Sequence, residues 1–596
     1  MSAASSPNEA PDLVDLLLAE QQTLRAVDEF SALHEAGGHD SGRFETLIPT
    51  GLPGVGQQFA FAVDLDACTG CKACVTACHS LNGLEPDETW RSVGVVEGGN
   101  GSAGAAAHAQ TITTACHHCE DPACLSGCPV RAYEKDPTTG IVIHLDDQCI
   151  GCRYCQLMCP YDVPRFSDRL GIVRKCDMCH GRLSVGEAPA CVQGCPNEAI
   201  SIEVVDSGLA QAGVDAREAM LLPVQPGDIP DSQLTRPTTR YRTTRVLPDD
   251  LRPLDGAGLE PAEGHAPLAW MLVATQAAVG ALFWDQMLGG LGSLGGSGAP
   301  EGGQAAGLRA LLLTTASLLT FAGLAGSVLH LGRPQWGFRA FLGLRTSWLS
   351  REIIVLGGFA GALGIATVAA FAPWVARGPS AAFAPEMAAF APGMAALSSG
   401  LHAIAEPSRL AALGLGLLGA FCSVQVYAAT GRPLWRRDRT LLRFGGSTLL
   451  LGAAVAVFGM SVAALGSGPW ERVDAPDPGT RMALLVVLAA TTLAKLAFEH
   501  GRLVQGEPGA DAAALARTRS LFAGTLRRIL VARHGLALSL GVAAPLLQVA
   551  ALAFGFGHAT SIGLAGASLV GCLVAEGLER SLFFRGEAMR AMPGGR

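Results

Sequence analysis

The chain changes its pattern of apolar and polar positions near residue 265. Before that point apolar residues occur in short runs between charged residues, prolines and glycines, whereas residues 266–596 are dominated by Ala, Leu, Gly and Val. A helix that crosses a bilayer needs about 20 apolar residues. Eight such stretches follow one another, at about 266–289, 307–331, 352–376, 408–430, 444–466, 481–499, 534–556 and 559–577. A buried soluble helix explains any one of them but not eight in series, so the second half is predicted to be an all-α membrane bundle of eight transmembrane helices.

The first half contains shorter periodic segments that predict an α+β domain. Strand-forming runs occur at 59–63, 141–144 and 200–204, where β-branched and aromatic residues favour extended backbone. Four segments follow from these patterns: an N-terminal extension (1–57), the α+β domain (58–205), a linker rich in Pro, Asp and Arg (206–265) and the membrane bundle (266–596).

The N-terminal extension carries one amphipathic pattern, over about residues 13–35. Leu13, Leu17, Leu24 and Val27 fall on one face of a helix there. Two roles stay open for this helix: packing on its own domain, or contact with a partner subunit.

Cysteines dominate the chemistry of the α+β domain, since sixteen of the eighteen lie between residues 68 and 195. They form four quartets, each closing with C-x3-C, and three of the four end in Cys-Pro. The quartets are Cys68, Cys71, Cys74 and Cys78; Cys116, Cys119, Cys124 and Cys128; Cys149, Cys152, Cys155 and Cys159; and Cys176, Cys179, Cys191 and Cys195. This spacing is typical of thiolates that bind cubane iron–sulfur clusters.

The quartets predict four [4Fe–4S] clusters in a ferredoxin-like domain, and therefore a chain that conducts single electrons. A tight loop wraps three thiolates around one cluster, and the fourth cysteine reaches a neighbouring cluster, so clusters come in pairs. Spacing alone leaves open which motifs pair. A zinc ribbon uses pairs of C-x2-C without a triplet followed by Cys-Pro, and nothing marks a small secreted disulfide scaffold. Cys422 and Cys572 lie in apolar runs and are interpreted as ordinary buried thiols.

Charge adds a prediction about sidedness. The net charge of −9 includes no basic stripe that would indicate a nucleic-acid partner. With eight spans, nineteen arginines fall on the side that holds both termini and only five on the other. The positive-inside rule therefore places the side with both termini in the cytoplasm. Residues 1–60 contain no twin arginine and no signal-type apolar core. The cysteine domain is therefore predicted to be cytoplasmic. Some of these arginines have an alternative role, either in docking that domain or in binding quinone head groups.

The cysteine motifs carry a family resemblance. The phrases CHHCEDPACLSGCPV, DDQCIGCRYCQLMCPYDVPRF and KCDMCHGRLSVGEAPACVQGCPNEAI resemble the four-cluster electron-transfer subunit of the dimethyl sulfoxide reductase class of molybdopterin enzymes. In the membrane half, His330-Leu-Gly-Arg-Pro334 and Ser350-Arg-Glu352 are similar to that class's eight-helix quinol-oxidising anchor. The resemblance implies that two subunits, usually separate, are fused here.

The resemblance also implies cluster ligands and a quinol site. It pairs the first motif with the fourth and the second with the third. The implied ligand sets are Cys68, Cys71, Cys74 with Cys195; Cys176, Cys179, Cys191 with Cys78; Cys116, Cys119, Cys124 with Cys159; and Cys149, Cys152, Cys155 with Cys128. For quinol it implies His330, where a neutral imidazole accepts a proton, and Glu352, a carboxylate that relays it. Arg333 either orients a quinone oxygen or is one of the topology arginines.

We therefore expect a multi-pass subunit of the bacterial cytoplasmic membrane that passes electrons from menaquinol or ubiquinol in the quinone pool to a separate molybdopterin-containing reductase subunit. The cytoplasmic placement favours a nitrate-reductase-like partner. One alternative runs the same path in reverse, from a dehydrogenase of formate, for example, to quinone. Another is a non-catalytic iron–sulfur redox sensor or assembly factor. Lys495 and Glu499, four residues apart, are expected to form a simple helix pair, and Asp285 to lie at the interface.

Overall fold

The structure is a computed structural model that describes residues 42–99, 108–207, 230, 232–248, 251–254, 259–294, 304–373, 391–464, 478–504, 512–555, 557–588 and 592–594. The helix predicted over 13–35 lies outside the described residues.

The cysteine domain is built on short strands rather than one large sheet. β1 is the centre of a three-stranded sheet of order β8-β1-β9, a second sheet has order β10-β2-β3, and β4-β5 and β6-β7 form two-stranded ribbons. The strands are β1 (Gln57–Asp64), β2 (Ser92–Gly98), β3 (His108–Thr114), β4 (Tyr133–Lys135), β5 (Val142–His144), β6 (Arg165–Ser167), β7 (Ile172–Arg174), β8 (Ile200–Asp206), β9 (Arg240–Arg242) and β10 (Arg252–Pro253).

The pairing of β1 with β8 explains how distant cysteines meet. β1 precedes the first cysteine motif and β8 follows the fourth, and the two strands pair antiparallel with Val63 opposite Ile200. Because antiparallel register places the end of β1 beside the start of β8, the first motif begins close to where the fourth ends. The interior residues of β1 are buried on both faces, so this register is held by packing as well as by hydrogen bonds.

Short helices carry the cysteines between these strands. They are α1 (Gly42–Glu45), α2 (Ala73–Leu81), α3 (Ala123–Gly127), α4 (Tyr154–Met158), α5 (His180–Leu183) and α6 (Ala190–Gln193). None of α3 to α6 exceeds five residues, so these helices depend on the packing around them rather than on intrinsic helix stability.

The second half is helical throughout most of its described residues, and eight helical spans there are long and apolar enough to cross a membrane. The helices are α7 (Ala266–Leu294), α8 (Gln304–Leu329), α9 (Trp348–Ala370), α10 (Ala391–Ala428), α11 (Arg437–Ala463), α12 (Pro478–Val504), α13 (Ala512–Ala523), α14 (Arg527–Leu538), α15 (Ala544–Ala553) and α16 (His558–Arg585). A π-helical turn, Ser539–Ala543, joins α14 to α15 within the seventh span. The prediction of a cysteine-rich domain followed by eight candidate spans is confirmed.

Several spans extend beyond the charge-free stretches that predicted them. The fifth begins at Arg437, the seventh at Arg527, and the eighth continues to Arg585. The reason is that arginines predicted to lie in loops are instead buried between helices, where carboxylates pair with them. Arg443, Arg533 and Arg580 are at most 7% exposed and belong to this group, so they do not count toward the loop charge that predicted sidedness.

Two helices of the bundle, α7 and α11, are in close backbone contact. Gly280 of α7 faces Gly452 of α11, and a Cβ on either glycine would lie under 3.0 Å from backbone atoms of the other helix. Small residues allow such approach, which is the usual way membrane helices pack. α7 and α11 therefore cross at this point in direct backbone contact.

The predicted linker is partly built into the cysteine domain. β9 pairs parallel with β1, and β10 pairs antiparallel with β2. The turn after β9 is held by one carboxylate, because Asp66 accepts hydrogen bonds from the hydroxyl groups of Thr243 and Thr244. The described part of 232–254 thus differs from an extended tether, since it adds edge strands to both sheets.

Candidate functional site

All four cysteine motifs share one backbone turn. The residue just before the second cysteine has a positive φ in each: 73° at Gly70, 40° at His118, 68° at Gly151 and 60° at Met178. This left-handed conformation reverses the chain locally and is easiest for glycine. Because the same turn recurs four times, the motifs form four similar loops.

Three of the loops enclose a cavity lined by four cysteines each. The cavities hold about 300, 270 and 370 Å³ of empty space. Their thiols are, in that order, Cys68, Cys71, Cys74 and Cys195; Cys78, Cys176, Cys179 and Cys191; and Cys116, Cys119, Cys124 and Cys159. These are the groupings that the family resemblance implies.

The fourth group comprises Cys128, Cys149, Cys152 and Cys155. Cys128, Cys149 and Cys155 belong to one buried cluster, with Cys152 packed against it. Cys152 and Cys155 also lie within electrostatic reach of Cys128 and Cys149. The structure therefore brings all sixteen predicted cysteines together in four sets.

Backbone amides support the sulfur atoms at equivalent positions. The amide of Ala132 donates to Cys128 Sγ at 3.2 Å, and that of Ala199 donates to Cys195 Sγ at 3.3 Å. Both alanines stand four residues after a Cys-Pro cysteine. Such N–H···S bonds favour thiolate and tune the potential of a bound cluster.

The cysteines fit a polynuclear iron site. Burial raises the pKa of Cys78 and of Cys159 to about 12 each, so these thiols lose their protons only when positive charge is placed beside them, which iron supplies. Among the described residues, no three His, Cys, Asp or Glu side chains converge closely enough to hold a single metal ion. Thiols that surround cavities favour a cluster over zinc.

Two buried cations, which the sequence analysis missed, lie among the thiols. Arg91 and Lys175 are 2% and 3% exposed. Burial lowers the pKa of Arg91, but the thiols of Cys191 and Cys74 outweigh it, so the net pKa is raised. Lys175 directly precedes Cys176, an adjacency that was a usable signal, whereas Arg91 is far from any motif in sequence. Buried cations beside thiolates suit a cluster with net negative charge.

The membrane bundle contacts the second cysteine motif at the start of α9. The hydroxyl of Ser347 donates to the carbonyl of Gly127 at 2.7 Å, and that of Ser350 donates to the carbonyl of Pro129 at 3.2 Å. Cys128 lies between these two carbonyl groups. The fourth set of cysteines is therefore in contact with the first turn of a spanning helix.

The His-Leu-Gly-Arg-Pro motif is a second contact between the two domains. Arg333 donates from its side chain to the carbonyl of Asp146 at 2.8 Å and from its backbone to the carbonyl of Ile150 at 3.0 Å. A Cβ on Gly332 would lie under 3.0 Å from the backbone of Gly171. Arg333 thus docks the cysteine domain, which is an alternative role that the sequence analysis gave to some loop arginines. Its role toward a quinone oxygen stays a prediction.

His330, in the same motif, lies edge-on to His265 with 5.9 Å between the ring centroids. Its Nε2 atom is buried and has no hydrogen-bond partner in the described residues. Burial, aided by the positive charge of Arg153, lowers the pKa of His330 below its ordinary value. Burial likewise lowers the pKa of His265 to about 4. His330 is therefore neutral near pH 7 and has a nitrogen free to accept a proton.

Glu352 is 4% exposed and accepts a short hydrogen bond from the hydroxyl of Ser423. Its charge reaches Tyr154, which stands between Cys152 and Cys155 in α4. Burial and that charge together raise the pKa of Tyr154. A tyrosine of the cysteine domain is therefore within electrostatic reach of both the carboxylate in the membrane bundle and Cys152 of the fourth cysteine set, a relation that no sequence signal indicated.

Comparison with known proteins identifies the family of the cysteine-rich part. Residues 107–205 match the model of the 4Fe-4S dicluster domain. Over 191 residues the sequence is 35% identical to the B subunit of anaerobic dimethyl sulfoxide reductase of Haemophilus influenzae, covering 31% of this chain and 91% of the relative. This protein belongs to the family of that B subunit. The corresponding B subunit of Escherichia coli K12 is 38% identical over 154 residues, 25% of this chain and 75% of its own length.

The likeness to the B subunit is confined to the cysteine-rich part, and it extends to other oxidoreductases. The nitrate-inducible formate dehydrogenase iron–sulfur subunit of E. coli K12 is 36% identical over 160 residues, 24% of this chain and 53% of the relative. The predicted family and the presence of [4Fe–4S] clusters are therefore confirmed for the first half. The fusion to a quinol-oxidising anchor stays a prediction.

Proposed function

We propose that the chain carries electrons between quinol in the membrane and a separate catalytic subunit through four [4Fe–4S] clusters. The cluster ligands would be the four cysteine sets described above. Three of these sets surround cavities, and the fourth comprises Cys128, Cys149, Cys152 and Cys155. Bound there, the clusters supply one-electron transfer. The common left-handed turn in all four motifs supports the count of four.

The observation that carries the proposal is the contact of the fourth cysteine set with the membrane bundle. Ser347 and Ser350 of α9 bind the carbonyl groups on either side of Cys128. Glu352 follows in the same helix and lies in reach of Tyr154. An electron that leaves a quinol near Glu352 therefore has a short protein route to these cysteines.

Quinol oxidation requires proton acceptors close to that route. His330 offers a buried unpartnered nitrogen, and its lowered pKa keeps it neutral and able to accept. Glu352 offers a buried carboxylate held by Ser423, in a position where ionisable groups are costly unless they serve function. Arg333 is engaged with the cysteine domain, so its role is to hold that domain against the quinol site.

The catalytic partner is proposed to be a molybdopterin-containing reductase, as the likeness to the dimethyl sulfoxide reductase B subunit implies. Menaquinol or ubiquinol is the electron donor. The likeness to an iron–sulfur subunit of formate dehydrogenase favours one second candidate, which is electron flow in reverse toward quinone. The loop arginines that remain on the cluster side favour a cytoplasmic cysteine domain.

The proposal is tested on the complex purified gently from its native membranes. We expect about 16 iron atoms per chain, as four cubanes require, together with molybdenum and a large partner subunit. In membranes, His330→Ala should slow reduction of the clusters by quinol, whereas His402→Ala, at the other end of the bundle, should not. Normal reduction by quinol in the His330 variant would exclude the assigned site.

A further inference from the structure

A buried polar face runs along the last spanning helix, α16. Ser561, Ser568, Cys572, Glu576 and Glu579 are all at most 4% exposed, and they recur at helical spacing on one side. Eighteen residues separate the first from the last, which is about 27 Å at 1.5 Å per residue. The hydrocarbon core of a bilayer is about 30 Å thick. Polar groups therefore recur over nearly the whole depth of the membrane along α16, although Ala565, between Ser561 and Ser568, belongs to the hydrophobic core.

The cluster-side end of this face is a network of buried charges. The charged members are Arg443, Lys495, Glu499, Arg533, Glu576, Glu579 and Arg580. Arg533 bonds Glu499 at 2.5 Å, Lys495 pairs with Glu576 as well as with Glu499, and the hydroxyl of Ser447 donates to Glu576 at 2.5 Å. The simple Lys495–Glu499 pair of the sequence analysis is therefore one edge of a network that spans α11, α12, α14 and α16.

This network leaves several buried nitrogen atoms without a hydrogen-bond partner in the described residues. They are Nε and Nη1 of Arg533 and Nε of Arg580. Buried polar atoms of this kind are usually satisfied by ordered water. Water bound at these atoms would let the network move protons as well as hold the helices together.

The π-helical turn Ser539–Ala543 lies beside the middle of the polar face. A Cβ on Gly541 would meet the Thr492 side chain at 3.0 Å and Cys572 Sγ at 3.4 Å. Nearby in α16, the buried hydroxyl oxygen of Ser568 has no hydrogen-bond partner in the described residues. Single π-helical turns occur frequently at functional sites. This one lies beside Cys572, between the charged network and Ser568 on the polar face.

The far end of the face is a second polar group. Gln548 donates to the hydroxyl oxygens of Ser461 at 3.1 Å and Ser561 at 3.0 Å. Arg481 donates to Ser561 at 2.6 Å, and Oε1 of Gln548 is buried without a partner in the part of the chain that the structure describes. Helices α11, α12 and α16 thus carry polar groups at both ends of the membrane, together with α14 at the cluster-side end and α15 at the far end.

Tyr427 lies close to both the polar face of α16 and Glu352. The phenol of Tyr427, buried in α10, lies within electrostatic reach of both Glu352 and Arg580. Arg580 in turn donates to Ser447 at 2.8 Å, and Ser447 binds Glu576. Tyr427 and Arg580 also pack against the same ring, that of Phe444, at 5.9 and 4.3 Å from its centroid, so Tyr427 lies near both the charged network and the carboxylate of the quinol site.

We propose that these residues form a proton path from Glu352 to the far side of the membrane, by way of Tyr427, the charged network, Ser568 and the Gln548 group. When quinol is oxidised to quinone, two protons enter this path and two electrons leave, one at a time, toward the cysteine domain. Electrons and protons then part to opposite sides, so quinol oxidation separates charge. The inference rests on the proposed quinol site.

The test uses the full chain with its clusters, reconstituted into liposomes with a pH-sensitive dye trapped inside. A short-chain quinol is the donor and ferricyanide, added outside, is the acceptor. Because ferricyanide does not cross the bilayer, only molecules with the cysteine domain outside pass electrons to it, and their far side is the vesicle interior. Direct oxidation of the quinol by ferricyanide is measured in liposomes without the chain and subtracted. Each quinol reduces two ferricyanide ions and releases two protons. We expect the interior to acidify in step with ferricyanide reduction, with valinomycin and potassium present to dissipate the potential.

Variants locate the path. Ser568→Ala removes a buried hydroxyl without adding volume, and it should slow interior acidification at least about tenfold, as loss of a proton-transfer group does. Glu576→Gln should act in the same direction. Thr320→Val, a buried hydroxyl of α8 outside the path, should leave acidification unchanged.

Three outcomes would contradict the proposed proton path or its residues. Ferricyanide reduction with acidification of the external medium would overturn the path while leaving the proposed electron route intact. Unchanged interior acidification in both Ser568→Ala and Glu576→Gln would overturn the assigned residues. A complete lack of quinol-dependent ferricyanide reduction in the unaltered chain would overturn the quinol site and the path together.

Discussion

The phenol of Tyr154 donates a hydrogen bond of 2.7 Å to the backbone carbonyl of Val426, 272 residues away in the sequence. Tyr154 belongs to the third cysteine motif and Val426 to the fourth spanning helix. This bond therefore joins the two domains at the point where electron transfer between them is proposed.

Tyr154→Phe should weaken that junction, because one buried hydrogen bond contributes about 1 kcal/mol and the Val426 carbonyl would lose its donor. We expect slower reduction of the clusters by quinol at unchanged iron content, measured by stopped-flow absorbance. Tyr241→Phe removes a phenol that bonds within the cysteine domain and serves as the control. Equal rates in the two variants would show that the junction does not depend on this bond.

Gly332→Ala should separate the domains more severely. The added Cβ would lie under 3.0 Å from the backbone of Gly171, and such overpacking costs about 1–3 kcal/mol. Quinol-dependent reduction should fall while dithionite still reduces the clusters fully. Gly357→Ala, where a Cβ meets nothing within 4 Å, is the matched control. A Gly332 variant as active as this control would argue against docking through the motif.

Cysteine grouping predicts which substitutions act on the same cluster. Cys128→Ser and Cys155→Ser should alter the same component of the electron paramagnetic resonance spectrum, because both side chains lie in one buried cluster. Cys159→Ser should alter another component, since Cys159 lines the cavity of Cys116. A common change in the Cys128 and Cys159 variants would contradict the grouping.

The pH dependence of quinol oxidation should reflect His330. Its pKa lies below the ordinary 6.5, and only the neutral imidazole accepts a proton. The rate should therefore hold as the pH falls through 6.5 and decline at lower pH. Glu263 raises the pKa of His330, so Glu263→Gln should move the decline to still lower pH, whereas Glu260→Gln should not. A shift to higher pH in the Glu263 variant would contradict the assignment.

The charged network should show strong coupling in stability. Lys495→Met leaves Glu576 without its nearest cation, and breaking a buried pair costs about 3–5 kcal/mol. The double variant Lys495→Met, Glu576→Gln should be less destabilised than the sum of the two single variants, as measured by denaturation in detergent. Additive losses would mean that the two side chains act independently.

The local patterns were enough to predict much of this architecture. Spacing identified the cysteine motifs, and charge-free length identified eight spans, because both signals lie within short windows of sequence. The groupings of cysteines came from family resemblance, and the pairing of Val63 with Ile200 gives one physical reason for them. That pairing joins strands far apart in the chain and has no local signature.

What the sequence did not reveal depends on contacts between distant segments. Arg533 resembles a loop arginine because its neighbours Arg527 and Arg528 are also basic, yet it is 2% exposed and pairs with Glu499. Tyr154 and Arg91 gain their positions only when other elements pack around them. The turn at Asp66 likewise converts part of an apparent linker into edge strands.

Many of the contacts between the two domains end on main-chain atoms: the amides of Gly332, Arg333 and Gly343 meet the carbonyl groups of Gly151, Ile150 and Pro129. Since every residue type has the same backbone carbonyl group, such an interface tolerates substitution of most of its side chains. One polypeptide also carries both surfaces, and a tether supplies an effective concentration in the millimolar range. A weak interface is therefore sufficient here, and a single chain keeps its two domains in a fixed one-to-one ratio.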